Sequence, residues 1–391
     1  MMKNSCVKPA ARLASVPWSC LLLCLLLTAC SSRQAAGGGG EAQAAAPAGQ
    51  PRPAPAAQSP AAQPAANAKT YRGSLNDRGL EMRLVVEGGR VSGSYSYDGI
   101  NQSIGLEGRA AAGEKFELAE RDASGKQTGK WSCEGAKQGG WDQDFDCKWT
   151  KPNGTGELFV ALFEQASPAP GWRVAPKVVE NRKAGVRASY PQLAAPDGAQ
   201  LSPSARHFNT LLEQRVGKEA RDFAAGLEGE KHLYFHAAYN VLLATDDLVS
   251  VEVAYDFYMG GAHPDSSYDA VTYDLRADRE LKLEDIFKPN SGYVKAIAAY
   301  CDKEVRRRAG LLEEEAAREE HRKAAPQEES PVLPEMLEEI KAVALTPKGL
   351  MIYYDLPHVV AVFDRHFVPY SEVKNFLKPG GPAARVALAN P

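Results

Sequence analysis

Leu248-Val249-Ser250-Val251-Glu252-Val253-Ala254-Tyr255-Asp256-Phe257-Tyr258 is the stretch on which the fold turns. Val249, Val251, Val253, Tyr255 and Phe257 alternate with Ser250, Glu252 and Asp256. A period of two over eleven residues, rich in β-branched and aromatic side chains, specifies a strand with one apolar and one polar face. The expectation is a long, half-buried strand. Met259-Gly260-Gly261-Ala262-His263-Pro264 then breaks the pattern. Two glycines permit positive φ, and the proline biases His263 toward extended backbone.

Working outward, Leu233–Leu243 reads as a partner strand, and Val271–Leu275, Ala342–Leu345 and Leu350–Tyr354 as further strands. Ser202-Pro203 has the form of an N-cap and first-turn pair. It opens a helix whose apolar positions Phe208, Leu211, Leu212, Val216, Phe223 and Leu227 follow helical spacing. Tyr293, Ile297, Tyr300 and Cys301 mark a second amphipathic helix, which runs into the charge-rich 306–329 segment, read as solvated. The fold class expected for residues 172–380 is α+β, an antiparallel or mixed sheet with helices on one face.

Residues 69–166 carry a different pattern. Short apolar runs at Leu84–Val86, Val91–Tyr97, Ile104–Leu106 and Phe116–Leu118 are separated by Gly88-Gly89, Asp98-Gly99, Gly113 and Ser124-Gly125. Turn signals about every ten residues predict an all-β meander closing as a small barrel or sandwich. Cys133 and Cys147 lie in this part and are expected to pair in an oxidising compartment. Two free thiols or a metal pair is the weaker reading, with neither a CxxC nor a nearby His. Trp131, Trp141 and Trp149 cluster about the same loop, where core packing competes with stacking on sugar rings. The Ala166–Trp172 segment is a linker by composition.

The beginning of the chain reads as an address. Lys3, Lys8 and Arg12 precede a short apolar run, Leu21–Leu27, and then Leu27-Thr28-Ala29-Cys30. That order resembles a lipoprotein leader over residues 1–29, with Cys30 the lipidated mature terminus. Ser31-Ser32, with no Asp after the cysteine, implies export to an outer membrane with the folded part facing the periplasm. Residues 30–68, rich in Ala, Pro, Gln and Gly and without aromatic or branched apolar side chains beyond Cys30, are expected to form a disordered tether. Removing residues 1–29 takes away three positive charges, moving the net charge from −3 to −6. Such a balance argues against nucleic-acid binding, and adhesion to a membrane would come from the lipid.

Several phrases of the larger body fall in a familiar order: Tyr190-Pro191-Gln192-Leu193, Tyr258–His263, Val271–Leu275, Leu281–Phe287, Gly349–Tyr354 and Val368–Glu372. Together they resemble the tandem of a PdaC-type domain and the C-terminal domain of RsiV-like anti-sigma factors, over about residues 172–380. The resemblance implies an extracytoplasmic, non-catalytic module that accompanies peptidoglycan chemistry and in RsiV binds lysozyme. No polysaccharide deacetylase domain and no transmembrane helix leading to a sigma-binding segment is read in this chain. Neither a deacetylase nor an anti-sigma factor is therefore expected.

For chemistry, the residues offer little. No GxSxG elbow, P-loop, dinucleotide fingerprint or HExxH is present. Cys301 falls on the apolar stripe of its helix and reads as an inert thiol. His232 and His236 would share one strand face and read as structural. His263 with Asp265 and Asp269, or His358 and His366 about Asp364, are the possible His/acid sets for a metal-dependent hydrolase. The expectation is nonetheless no enzyme, no metal and no cofactor. Three classes compete: an envelope binding module for peptidoglycan, lysozyme or another envelope protein; that hydrolase; and a structural spacer. The candidate binding surface is the turn from Gly260 to Tyr268, with His263, Pro264 and Tyr268, extended by Tyr353, Tyr354 and His358 if the C-terminal strand lies alongside.

Overall fold

The 248–258 run forms its strand in full, but neither face meets water over most of its length. In the computed structural model, which describes residues 67–111, 115–136, 144–167, 171–196, 199–226, 232–321, 323 and 330–389, it is the fourth strand of the larger body. The leader, Cys30 and the tether as far as residue 66 lie outside the described residues. No helix among the described residues is long and apolar enough to cross a membrane.

The first strands are β1 (Lys69–Leu75), β2 (Arg78–Glu87), β3 (Arg90–Tyr97) and β4 (Ile104–Ala111). β5 (Lys115–Arg121), β6 (Gln127–Gly135), β7 (Phe145–Thr150) and β8 (Leu158–Glu164) follow. They form an up-and-down antiparallel barrel, closed where Tyr71 and Arg72 of β1 pair with Glu164 and Phe163 of β8. The barrel alternative is therefore the one adopted. Gly88 and Gly89 both take positive φ (55° and 78°), the twist a two-residue hairpin needs. Cys133 and Cys147 face each other across β6 and β7 and are disulfide-bonded. Trp131 is fully buried in the barrel core and Trp149 is half-buried beside it. Trp141 lies outside the described residues.

Four indole, phenol and hydroxyl donors share one carboxylate inside this barrel. Glu120 accepts from Trp149 Nε1 (2.7 Å), Thr128 Oγ1 (2.7 Å), Tyr95 Oη (2.9 Å) and Trp131 Nε1 (3.2 Å). Burying a carboxylate is tolerated only when its lone pairs are filled. The tryptophans thus double as packing and as donors.

Next come β9 (Arg173–Asn181), β10 (Val186–Ala194), β11 (Tyr234–Ala244), β12 (Leu248–Tyr258), β13 (Asp265–Asp274) and β14 (Arg279–Glu280). They form one six-stranded mixed sheet in the order β14-β13-β12-β11-β10-β9. β10 and β11 are parallel, which requires a crossover. The crossover is helical: α1 (Pro203–Leu212), a π-turn (Glu213–Gly217) and α2 (Lys218–Gly226). Ser202 caps α1 by accepting from Ala205 N at 3.1 Å. Phe208, Leu212, Val216, Ala220 and Ala224 are buried at a spacing of four. An α-helix of 3.6 residues per turn would rotate such a stripe off the sheet, and the wider π-turn brings it back.

The C-terminal strands do not join this sheet, contrary to the single-sheet expectation. β15 (Ala342–Leu345), β16 (Gly349–Tyr353) and β17 (Arg365–Pro369) make a separate three-stranded sheet. It packs with α3 (Leu283–Ile286), α4 (Tyr293–Glu319), α5 (Tyr370–Val373) and α6 (Pro382–Ala389) around a core that includes Cys301, whose thiol burial pushes up to about 12. The charge-rich 306–329 segment is not wholly solvated: α4 continues to Glu319, and Arg308 on it is buried.

Helices cover one face of the six-stranded sheet, while the small sheet and the barrel cover the other. Leu345 N, on β15, donates to both Ser250 Oγ and Thr272 Oγ1 at 3.2 Å. From the barrel, Arg72 ion-pairs with Asp98, which accepts from Ser189 Oγ on β10 at 2.5 Å. β10 pairs with β11 only through Ala188, and beyond that point the barrel's exit segment takes its place. Ala166 N donates to Val241 O (2.9 Å), and Val241 N to Gln165 Oε1 (2.7 Å). The segment read as a linker thus begins inside the sheet's hydrogen bonding.

Candidate functional site

The covered face of β12 explains the site. Ser250 and Glu252, the polar half of its alternation, are 0% and 1% exposed. The expected half-buried strand is buried on both sides because a second layer lies over its polar face. Glu252 is satisfied there by three donors from three strands: Arg365 Nε (2.5 Å) on β17, Tyr353 Oη (2.7 Å) on β16 and Asn240 Nδ2 (2.9 Å) on β11. Arg308 of α4 reaches the same region, donating to Arg365 O and Val362 O at 2.9 Å.

The layers leave a cavity of about 610 Å³ between them, within the size range of small-molecule sites. Ala161 and Phe163 line it from the barrel, and Asn240, Glu252, Ala254, Ser266 and Tyr268 from the sheet. Arg308, His358, Val362 and Arg365 complete it from the C-terminal part. Arg365 lies 5.5 Å over the ring of Phe163, so the wall there mixes aromatic surface with guanidinium.

At the rim, two sequence candidates meet. The rings of His263 and His358 are stacked, with centroids 3.6 Å apart and planes at 14°. His263 Nδ1 is 2.8 Å from Pro264 O, so the tautomer with hydrogen on Nδ1 donates to that carbonyl. His358 Nδ1 lies 3.7 Å from Asp265 Oδ1. Tyr268 lines the cavity, 6.1 Å from Tyr353 between ring centroids.

Other expectations require correction. Asp265 and Tyr268 belong to β13, so the turn is confined to the residues before Asp265. Asp265 orients toward His358 rather than His263, and Asp269 sits 3.6 Å from Arg215. Tyr353 and Tyr354 are fully buried and offer no exposed surface; Tyr353 instead holds Glu252. His232 precedes β11, with φ of 83°, and so does not share a strand face with His236. His366 is buried, pushed down to about 3 by desolvation and by Arg308, while Asp364 is raised to about 6 by burial. Among the described residues, no group of three His, Cys, Asp or Glu side chains is placed to hold a metal ion.

Sequence reasoning missed Arg308 and Arg365 as site residues and took Glu252 for a solvated strand position. A signal for Glu252 was present: it is the one acid flanked by valines near the centre of an eleven-residue strand. Arg308 sits in a charge run that hides it.

Residues 284–372 match the DUF3298 family, described as a protein of unknown function. A DUF3298 domain is present. It supplies Arg308, His358, Val362 and Arg365 to the cavity, whereas Glu252, His263 and Tyr268 precede it. No curated protein matches the chain. Two solved DUF3298 proteins are similar to it. One, from Pseudomonas aeruginosa PAO1, is 19% identical, covering 53% of this chain and 93% of its own, with a TM-score of 0.35. The other, from Bacteroides fragilis NCTC 9343, is 14% identical, covering 56% and 96%, with a TM-score of 0.29.

Proposed function

We propose that this protein is a non-catalytic, lipid-tethered binding protein of the bacterial envelope, recognising a cell-wall-associated ligand: peptidoglycan, lysozyme or another envelope protein. The observation that carries the reading is the stacked His263–His358 pair at the cavity rim. It joins two segments, 95 residues apart in the chain, into one exposed patch beside Pro264 and Tyr268. The resemblance to PdaC-type and RsiV-like modules supports an extracytoplasmic binding role. The leader and Cys30 support the anchor, with residues 30–68 as a spacer.

The patch is suited to recognition. His263 and Pro264 are exposed and need little reordering to dock. His263→Ala with Tyr268→Ala in the full chain is expected to reduce retention on sacculi or on c-type lysozyme at least tenfold, with the melting temperature shifted by only a few degrees. Retention unchanged in this variant, or no retention by the unmodified protein, overturns the reading. In cells, Cys30→Ser is expected to leave the precursor unprocessed and without lipid.

A further inference from the structure

We propose that the cavity binds a neutral, mainly apolar molecule with one hydroxyl or carbonyl group, which packs on a shelf of alanines and hydrogen-bonds to Tyr268. This goes beyond the envelope reading and does not depend on whether sacculi or lysozyme bind. Three observations carry it.

The sheet side of the cavity is a shelf. Ala238 of β11 lies opposite Ala254 of β12, and Ala254 opposite Tyr268 of β13, so the three stand in one row across the strands. All three line the cavity. Facing layers normally interdigitate to close-packed density. Two adjacent methyl groups cannot reach across, and Ala161 of β8 and Ala361 of the C-terminal part add no bulk from the other layers. The space is thus set by the residue types. Phe163 and Val362 give the other walls apolar surface, which suits a hydrocarbon body.

The charged groups of the inner lining are already engaged. Glu252 accepts from three donors, one of them Arg365, and Arg308 donates to two backbone carbonyls. Both arginines have further interactions within the protein. An ion entering here would shed its water and find no charged partner that another group does not already hold. A neutral molecule sheds less and needs none.

One polar group of the row is not engaged. Tyr268 Oη makes no hydrogen bond to any described residue, whereas Tyr353, whose ring lies 6.1 Å away, gives its hydroxyl to Glu252. Tyr268 is half-buried, and its phenol can donate or accept. That capacity matches one hydroxyl or carbonyl on a ligand. A sugar would bring many hydroxyls to this single group and leave the rest unmatched against alanine.

The test uses the chain from residue 30 carrying Cys30→Ser, which lacks only the leader and its own lipid. Pyrenemethanol is the probe, followed by its own fluorescence. Pyrenecarboxylate and pyrenemethylammonium are the anion and cation on the same ring body, and pyrene is the form without a polar group. The expected result is one site per chain, with pyrenemethanol bound at least tenfold more tightly than either ion. Tyr268→Phe keeps the ring and removes the hydroxyl. It is expected to weaken pyrenemethanol about three- to tenfold, the range of one net hydrogen bond, and to leave pyrene unchanged. Ala254→Leu fills the shelf from β12, and Ser266→Trp covers the cavity from an exposed position of its lining. Each is expected to weaken pyrene and pyrenemethanol alike, at least tenfold. If Ala254→Leu melts early, Ser266→Trp decides. No saturable binding, an ion bound as tightly as pyrenemethanol, unchanged binding in Ser266→Trp, or an equal response of pyrene and pyrenemethanol to Tyr268→Phe overturns the proposal.

Discussion

Glu120 in the barrel and Glu252 in the six-stranded sheet are both buried carboxylates, and they are stabilised in opposite ways. Glu120 takes its hydrogen bonds from neutral side chains, and every donor belongs to the same barrel. Glu252 takes one from a guanidinium, and its three donors come from β11, β16 and β17, two of them beyond the DUF3298 domain's start. The first is a closed arrangement that completes a filled core. The second ties separate layers together beside an open cavity. The difference separates a residue that finishes a fold from one that holds a site open.

The largest effect is expected where a charge would be left behind. Glu252→Ala strips Arg365 of its buried partner, and losses of about 3–5 kcal/mol follow from breaking such a pair. Urea denaturation should show this as a lowered midpoint. Glu252→Gln combined with Arg365→Met removes both charges and should recover much of the loss, since the isolated cation is the expensive species. A double variant no more stable than Glu252→Ala breaks the distinction.

Glu120→Gln is expected to cost less, about 1–3 kcal/mol, because neutral donors lose an acceptor but no charge is stranded. The amide oxygen in the place of Oε2 can still accept from Tyr95, Trp131 and Trp149, while the NH₂ in the place of Oε1 faces Thr128 Oγ1, whose donated bond is lost. Tryptophan fluorescence during unfolding reports on the barrel directly. A cost as large as that of Glu252→Ala would place the two carboxylates in one class.

Much of this architecture was legible in local pattern, and the rest was not for a physical reason. The alternation at 248–258, the Ser202-Pro203 cap and the Gly88-Gly89 turn are local features, and each forms what its pattern implies. The pairing of Cys133 with Cys147 followed from compartment and count. Barrel closure depends on Tyr71 meeting Glu164, and the site on Glu252 meeting Arg365. Such partners are chosen by the whole topology, and no residue near either end encodes them. Period two also says only that two faces differ. It does not say whether the polar face meets water or a second sheet, which is why Glu252 was misread while its valine neighbours were not.

The smallest effect lies behind the cavity and runs against intuition about acid. Asp364 in the native protein holds a proton up to about pH 6, pushed up by burial, although it accepts from Leu356 N at 2.8 Å. In the unfolded chain it releases that proton near 3.9. Between about pH 4 and 6 the native state therefore binds more protons, and this group alone makes the protein more stable as pH falls. His366 does the reverse. It stays neutral in the native state down to about 3, whereas unfolded histidine protonates near 6.5. Below about 6.5 the unfolded state binds more protons, so this group's contribution is lost as pH falls. The slopes oppose each other across pH 4–6, each bounded by about 1.4 kcal/mol per pH unit for one proton. Asp364 falls below that bound, since it lies covered but shallow and water still screens it. Asp364→Asn keeps an acceptor for Leu356 N and should steepen acid destabilisation. His366→Gln should make stability rise, or fall less, between pH 6 and 4. Urea midpoints at pH 4.5, 5.5 and 6.5 decide it: both variants following the parent's pH profile would show that neither group is coupled to folding.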